Sequence, residues 1–404
     1  LCFATVKIDM SKQSDSYFEL TYDAPWKGIN VDLPENKIPK ENTPLATNWI
    51  VRGGELRSRP KQSSYIPSLL DNSQPIAINS FQDSNNVMHT VVVSTTGLWQ
   101  LNSAWRKNLD KAWSLVGRFP APIQQIPASV QIFLDQLYFV TGDFNLWNWN
   151  GITPNALSGI NALKSIAAIT IAPVHTTGPL LAGGLFLGEL DSRLILLNTV
   201  EQQDVAGKPS SNFTQRIRWS ASGLPNVWDP TTNVGAGFND ELDVPDVITG
   251  FLTIGRNGFV FRSNGITEMT SISQGLLPFD FNHLWASDRG IGNVYPFSIA
   301  GYGPIGIFIS SDDIYELSLG GFKKIGGTAR NAIFDDLGTA VLTPIASLFP
   351  SYINSYPYLT YKLSIPQPGG MSKNWCYFVE ADAWFPWTED QGFETGKSRL
   401  VPTL

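Results

Sequence analysis

The sequence predicts an all-β chain, a six-bladed β-propeller with an extended N-terminal arm and loop insertions. Three observations predict it. A strand–turn–strand unit recurs six times, no helical interval separates the units, and 35 Gly with 27 Pro supply turns at short intervals. The clearest unit is Gly306-Ile-Phe-Ile-Ser-Ser-Asp-Asp-Ile-Tyr-Glu-Leu-Ser318. Alternation of Ile307, Ile309, Ile314 and Tyr315 with small or polar residues fits a strand pair folded about Asp313.

The units follow in order. The first is Thr90-Val-Val-Val-Ser-Thr-Thr-Gly-Leu-Trp-Gln-Leu101, with further strands expected at residues 76–81 and 113–116. The second is Leu137-Tyr-Phe-Val-Thr-Gly-Asp-Phe-Asn-Leu-Trp-Asn-Trp149, preceded by a strand at 128–133. The third is stretched, with residues 193–198 and 215–220 on either side of a polar loop around Gly207; a long surface turn costs little. The fourth, 258–269, turns on Asn264-Gly265, a strong hairpin dipeptide. The fifth is the unit around Asp313, and the sixth joins 360–365 to 375–379 across Pro368-Gly-Gly370.

Gly97, Gly142, Gly207, Gly265, Asp313 and Gly369 therefore mark six turns, spaced by 45, 65, 58, 48 and 56 residues. Blades of ~40 to 50 residues with modest insertions give such spacing, and four strands per unit favour a closed ring over an open stack. A ring has to join its last sheet to its first. The hairpin expected at 48–59, turning on Gly53-Gly54, is assigned that role and is expected to pair beside Trp384-Phe-Pro-Trp387. The chain divides accordingly into an N-terminal arm (1–25), a Pro-rich docking segment with the closing hairpin (26–66), the propeller (67–390) and a C-terminal tail (391–404).

With 43% hydrophobic and 16% charged residues the chain has ample core material, and a net charge of −7 argues against gripping nucleic acid phosphates. Two cysteines and three scattered histidines offer no zinc spacing, so neither metal nor cofactor is expected. Prolines break both long uncharged runs, 165–187 and 337–361, which excludes a transmembrane helix there. Charge is uneven: residues 26–62 hold seven basic and four acidic side chains, whereas the body is acidic. Such a segment can dock on a neighbouring copy. Trp26, Lys27, Arg52, Arg57 and Arg59 are its candidate subunit or adaptor contacts, and Asp240, Glu241, Asp243 and Asp246 form a candidate acidic loop or channel lining.

Catalytic readings fare poorly. Glycoside hydrolysis needs two carboxylates at set separation, and Asp240 to Asp246 or Asp335-Asp336 read more simply as loop acids. Gly392-Phe-Glu-Thr-Gly-Lys-Ser398 lacks the first glycine of a phosphate loop. No nucleophile elbow is present, and His89 and His283 read as ordinary strand residues. The tryptophans lie mostly in or beside strands and read as core. No enzymatic activity is expected.

The order of motifs is familiar. A Trp-Lys-Gly-Ile…Pro-Glu-Asn-x-Ile-Pro opening precedes Gly53-Gly54-x-Leu56-Arg57-x-Arg59, then Arg216-Ile-Arg-Trp-Ser-Ala-Ser-Gly-Leu-Pro-Asn-Val-Trp228, 243–250, 258–268 and the final Ala383-Trp-Phe-Pro-Trp387. This order resembles the propeller proteins of bacteriophage tails, above all the nozzle of short-tailed phages, also called the tail hub or packaged-DNA stabilisation protein. The resemblance implies a non-enzymatic structural protein of the virion tail, in a ring of six copies below the adaptor and portal. Expected partners are further copies, the portal and adaptor, a needle or plug, tailspikes or fibres, passing double-stranded DNA and the host outer surface. Such nozzles often carry an inserted tip domain; only modest insertions, at 201–212 and 228–242, stand here. A receptor-binding or lectin-like phage propeller is the alternative, and a glycan-degrading enzyme a more distant one.

Overall fold

The computed structural model describes residues 27–387 apart from 48, 53–54, 59–68, 70, 103–111, 153–163, 166–168, 171–179, 203–209, 231–234, 242–245, 273–276, 285–289, 354–355 and 370–371. Strands β1 (Trp49–Arg52) and β2 (Glu55–Ser58) form a hairpin of their own, with Arg52 opposite Glu55 and Ile50 opposite Arg57. Six antiparallel sheets follow, each built from strands consecutive in sequence.

Blade one holds β3 (Pro75–Gln82), β4 (Met88–Ser94), β5 (Gly97–Leu101) and β6 (Trp113–Arg118). Blade two holds β7 (Ser129–Phe133), β8 (Gln136–Val140), β9 (Leu146–Trp149) and the short β10 (Lys164–Ser165). Blade three has five strands: β11 (Ile169–Thr170), β12 (Leu180–Leu190), β13 (Arg193–Gln202), β14 (Ser210–Trp219) and β15 (Gly237–Asp240). Blade four holds β16 (Ile248–Ile254), β17 (Asn257–Arg262), β18 (Ile266–Ser271) and β19 (Phe279–His283). Blade five holds β20 (Ala300–Tyr302), β21 (Ile305–Ile309), β22 (Ile314–Ser318) and β23 (Gly321–Lys324). A helix, α1 (Arg330–Gly338), precedes blade six, which holds β24 (Ile345–Ile353), β25 (Tyr356–Pro366), β26 (Ser372–Phe378) and β27 (Ala383–Trp387). The all-β, six-bladed propeller expected from the sequence is the fold.

The turn markers explain why. Gly97, Gly142, Gly265, Asp313 and Gly369 all fall at the turn joining the second and third full strands of a blade, whereas Gly207 lies outside the described residues. At Asp313 the carboxylate accepts hydrogen bonds from the backbone N–H of Ile314 (2.8 Å) and Gly326 (3.1 Å), tying turn to following loop. Apolar clusters then bridge neighbouring blades: Phe81, Leu137, Phe139 and Trp149 between one and two, and Phe261, Phe308 and Leu317 between four and five. Each fully buried Leu, Ile or Phe contributes ~1.5–3 kcal/mol.

Two expectations need correction. The helical interval excluded by the sequence exists: α1 sends Ile333 and Leu337, four residues apart on one helix face, into the core of blades five and six. The hairpin β1–β2 does not complete a blade either. It stays a separate two-stranded sheet, reached by Trp387 Nε1, which donates to the carbonyl of Trp49 at 3.1 Å. Blade six needs no extra strand because β24 to β27 already supply four.

The chain beside Trp384 is instead the strap at 27–46. Ile29 N–H donates to the carbonyl of Trp384 (3.2 Å), and the Ile29 side chain joins the core of blades five and six. Gly28 permits this approach. Its φ is +86°, and a Cβ there would lie 2.8 Å from the Trp384 carbonyl oxygen. Gly28→Ala is expected to lower the urea-unfolding free energy by ~1–2 kcal/mol. Gly338→Ala, where a Cβ meets open space, is expected to leave it unchanged or slightly raised.

Candidate functional site

The strap is a folded element, whereas the expected arm at 1–25 lies outside the described residues. Asn30 N–H donates to Thr43 O (2.9 Å) and Thr43 N–H to Gly28 O (3.1 Å), so its two limbs run side by side. Thr328 Oγ1 donates to the Ile29 carbonyl, and Asn331 Nδ2 donates to Asp32 Oδ1 at 2.7 Å, fixing the strap to the α1 region. While Ile29 and Ala46 point into the core, Val31, Leu33 and Leu45 remain outside, 44%, 42% and 77% exposed. Lys27, one of the predicted docking residues, lies on this surface and pairs with Glu41 at 3.6 Å. Arg52 and Arg57 are on the hairpin strands; Trp26 and Arg59 lie outside the described residues.

The predicted acidic group divides. Asp240 ends β15, and β15 lies at the opposite edge of blade three from β12, the strand that lines the central bore. Neither Asp240 nor the following Glu241 therefore lines the propeller's own bore. Asp246 accepts from Val247 N (2.9 Å) and Asn264 N (2.6 Å), capping the fourth unit's turn, and Asp243 lies outside the described residues.

Asp240 belongs to a buried ionic cluster that the sequence reading missed. Arg216 donates through Nε and Nη2 to the two carboxylate oxygens of Asp240, both at 2.6 Å, and through Nη1 to Glu201 at 2.9 Å. Arg218 donates to both oxygens of Glu201, at 3.0 and 3.1 Å. Strand alternation puts the two arginines on one face, where the Phe238 ring lies 4.5 and 4.9 Å from their guanidinium carbons. Burial lowers the Arg218 pKa despite Glu201, whereas at Arg216 the carboxylates outweigh burial and raise it. The signal was available as Arg-x-Arg in a strand facing Glu201 and Asp240, but the pairing register had to be known first.

Glu241 accepts from Asn239 Nδ2 (2.7 Å) and Thr267 Oγ1 (2.8 Å), and His283 Nδ1 stands 3.8 Å away. Asp336 accepts from Trp375 Nε1 (2.9 Å) and Lys373, and so serves the core of blade six. His89 is buried between Phe81 and Trp149, with Nε2 at 3.1 Å from Asp83 Oδ2 and Nδ1 at 2.7 Å from Gln100 Nε2. Since an amide N–H can only donate, Nδ1 is the acceptor and Nε2 carries the proton toward Asp83. Among the described residues no group of three or more His, Cys, Asp or Glu could hold a metal, and no helix is long and apolar enough to cross a membrane.

The innermost strands of all six blades enclose a bore of about 320 Å³, lined largely by apolar side chains such as Ile76, Phe186, Phe251, Phe297, Ile299 and Leu348. A second, wider cavity of about 1140 Å³ opens at one mouth, walled by blades two, three and four.

No protein-family profile and no curated protein sequence matches the chain. Among solved structures it is similar to the AfRom2 CNH domain, with a TM-score of 0.39 and 10% identity over 80% of this chain and 87% of that one. It is also similar to the N-terminal domain of Nup159 (TM-score 0.33, 9% identity, 84% and 77% covered) and the WD40 domain of SCAP from fission yeast (0.32, 9%, 76% and 66%). These likenesses concern fold alone.

Glu201→Ala leaves the Arg218 guanidinium buried without its carboxylate and is expected to cost ~3–5 kcal/mol in denaturant unfolding. A second expectation concerns acid. Hydrogen bonds from Val87 N–H and from His89 hold the Asp83 carboxyl below the ordinary aspartate value. A carboxylate with a lowered folded pKa stabilises fully above the unfolded pKa of ~3.9 and loses that contribution as pH falls through the folded value. Asp83→Asn is therefore expected to flatten the acid limb of a stability-versus-pH curve below about pH 4, whereas an unchanged limb would show that Asp83 does not contribute.

Proposed function

We propose that this chain is a subunit of a phage tail nozzle, a non-enzymatic ring that extends the DNA exit channel below portal and adaptor, retains packaged DNA and passes it on ejection. The observation that carries the reading is the strap. The Trp-Lys-Gly-Ile motif of the resemblance is the one whose Gly28 and Ile29 anchor the strap on Trp384, in the closing Ala-Trp-Phe-Pro-Trp motif. Anchored in this way, the strap turns Val31, Leu33 and Leu45 outward, apolar side chains available for a neighbouring copy to cover.

The bore supports a further step. A duplex whose major groove alone is ~12 Å wide does not fit through a cavity of about 320 Å³ filled by Phe and Ile side chains. In a nozzle of such subunits the conduit runs between copies, and an acidic wall lets phosphate slide by repulsion.

Sedimentation and electron microscopy of the purified chain, alone and with its adaptor ring, test this reading. A closed cyclic assembly is expected. Leu33→Glu with Leu45→Glu is expected to release monomers whose circular dichroism matches the parent. A strictly monomeric protein in both preparations, or one that hydrolyses glycans, defeats the proposal.

A further inference from the structure

The 1140 Å³ cavity at the mouth combines apolar side chains with charges of both signs on its walls. The half-buried Phe251 lines both this cavity and the bore. The backbone makes way for its ring at two glycines. A Cβ at Gly188 would overlap Phe251, and one at Gly258 would lie 2.8 Å from its Cζ. In the same lining, Glu189 from blade three receives one hydrogen bond on its carboxylate, from Gln131 Nε2 of blade two at 3.2 Å. Thr253 Oγ1 donates to the Glu189 carbonyl at 2.7 Å, tying blade four to the same strand end. Arg256, at the turn between β16 and β17, is exposed on the opposite wall.

We propose that this mouth is a binding site for a neutral saccharide. A pyranose presents an apolar ring face and a rim of hydroxyls, each both donor and acceptor. The face fits Phe251, the Glu189 carboxylate accepts from hydroxyls, and the Arg256 guanidinium donates to them. Charges of both signs disfavour ligands with one sign. An oligonucleotide would gain at Arg256 and lose at Glu189 and Asp191, and a basic peptide the reverse. A neutral polyhydroxylated ligand uses both walls. Burial raises the Glu189 pKa against the Gln131 hydrogen bond, and hydroxyl donors would supply part of the solvation that the carboxylate has lost. At about 1140 Å³ the cavity is somewhat larger than the ~300–1,000 Å³ of small-ligand pockets and has room for one or two sugar rings.

The residues named for this site all belong to one chain. The test uses the full chain with methyl glycosides of glucose, galactose, mannose, fucose and N-acetylglucosamine and the corresponding disaccharides, read by saturation-transfer NMR and titration calorimetry. At least one sugar is expected to bind, with its ring protons saturated most strongly. Glu189→Ala and Arg256→Ala are each expected to weaken it tenfold or more. The thermal midpoint of Arg256→Ala, an exposed turn substitution, is expected to match the parent and so separates lost binding from lost folding. If no sugar in the panel binds, or if affinity survives both substitutions, the proposal is overturned. It is overturned equally if an oligonucleotide or a charged peptide binds in a manner sensitive to Arg256→Ala while the sugars do not.

Discussion

From blade one to blade six each sheet is joined to the next by an apolar cluster, so the polar groups of its backbone have to be satisfied within the ladder or at its turns. The middle strands show the consequence as unbroken buried runs, such as Val91 to Val93, Leu194 to Leu197 and Ile307 to Ile309. Several polar side chains gather at the turns, where buried acceptors take the N–H groups that the ladder leaves over. Ser94 Oγ accepts from Thr96 and Gly97, Asp246 from Asn264, and Asp313 from Ile314 and Gly326. The segment around Asp313 is therefore a fold determinant, with its carboxylate occupied by backbone.

Blade three departs from this rule and is the most heavily charged inside. Its strands β12 to β14 run ten or eleven residues and carry Glu201, Arg216 and Arg218, with Arg218 set between the buried Ile217 and Trp219. Burying these charges is tolerable only because every carboxylate oxygen of Glu201 and Asp240 has a guanidinium donor. Glu189 and the turn after Leu190 lie at the other end of the β12–β13 pair, where they reach the mouth.

The sequence disclosed what is local and repeated. Asn264-Gly265 and Asp313 announce their turns chemically, and continuous apolar runs identify the strands between them. It concealed what depends on distant pairing. The stretch Arg330–Gly338 buries only Ile333 and Leu337 and has no side-chain cap at its start, so a helix there draws its stability from blades five and six more than from its own pattern. The hairpin was assigned to the ring's closure because Gly53-Gly54 is conspicuous, whereas the residue that docks is Ile29, a single apolar side chain in a Pro-rich run. The acids at 240–246 looked alike in sequence, yet one pairs with arginine, one accepts from threonine and asparagine side chains, and one caps a turn. Those roles follow from strand register, which no short motif records.

The strap also orders events in the chain. Its anchor points are Trp384 in the last strand, 355 residues from Ile29 (384 − 29), and Thr328 and Asn331 before and within α1, each 299 residues from its partner. Closing so long a loop costs only slightly more than closing one of half the length, by ~0.6 kcal/mol, so distance is no obstacle once the seat exists. The seat, however, consists of blade six and the turn that precedes it, and neither is present until the C-terminal strands have folded. The outward row of Val31, Leu33 and Leu45 is thus held in place only by a completed propeller. In the proposed ring such a surface would be presented to a neighbouring copy only after folding, because its fixed geometry depends on the completed propeller.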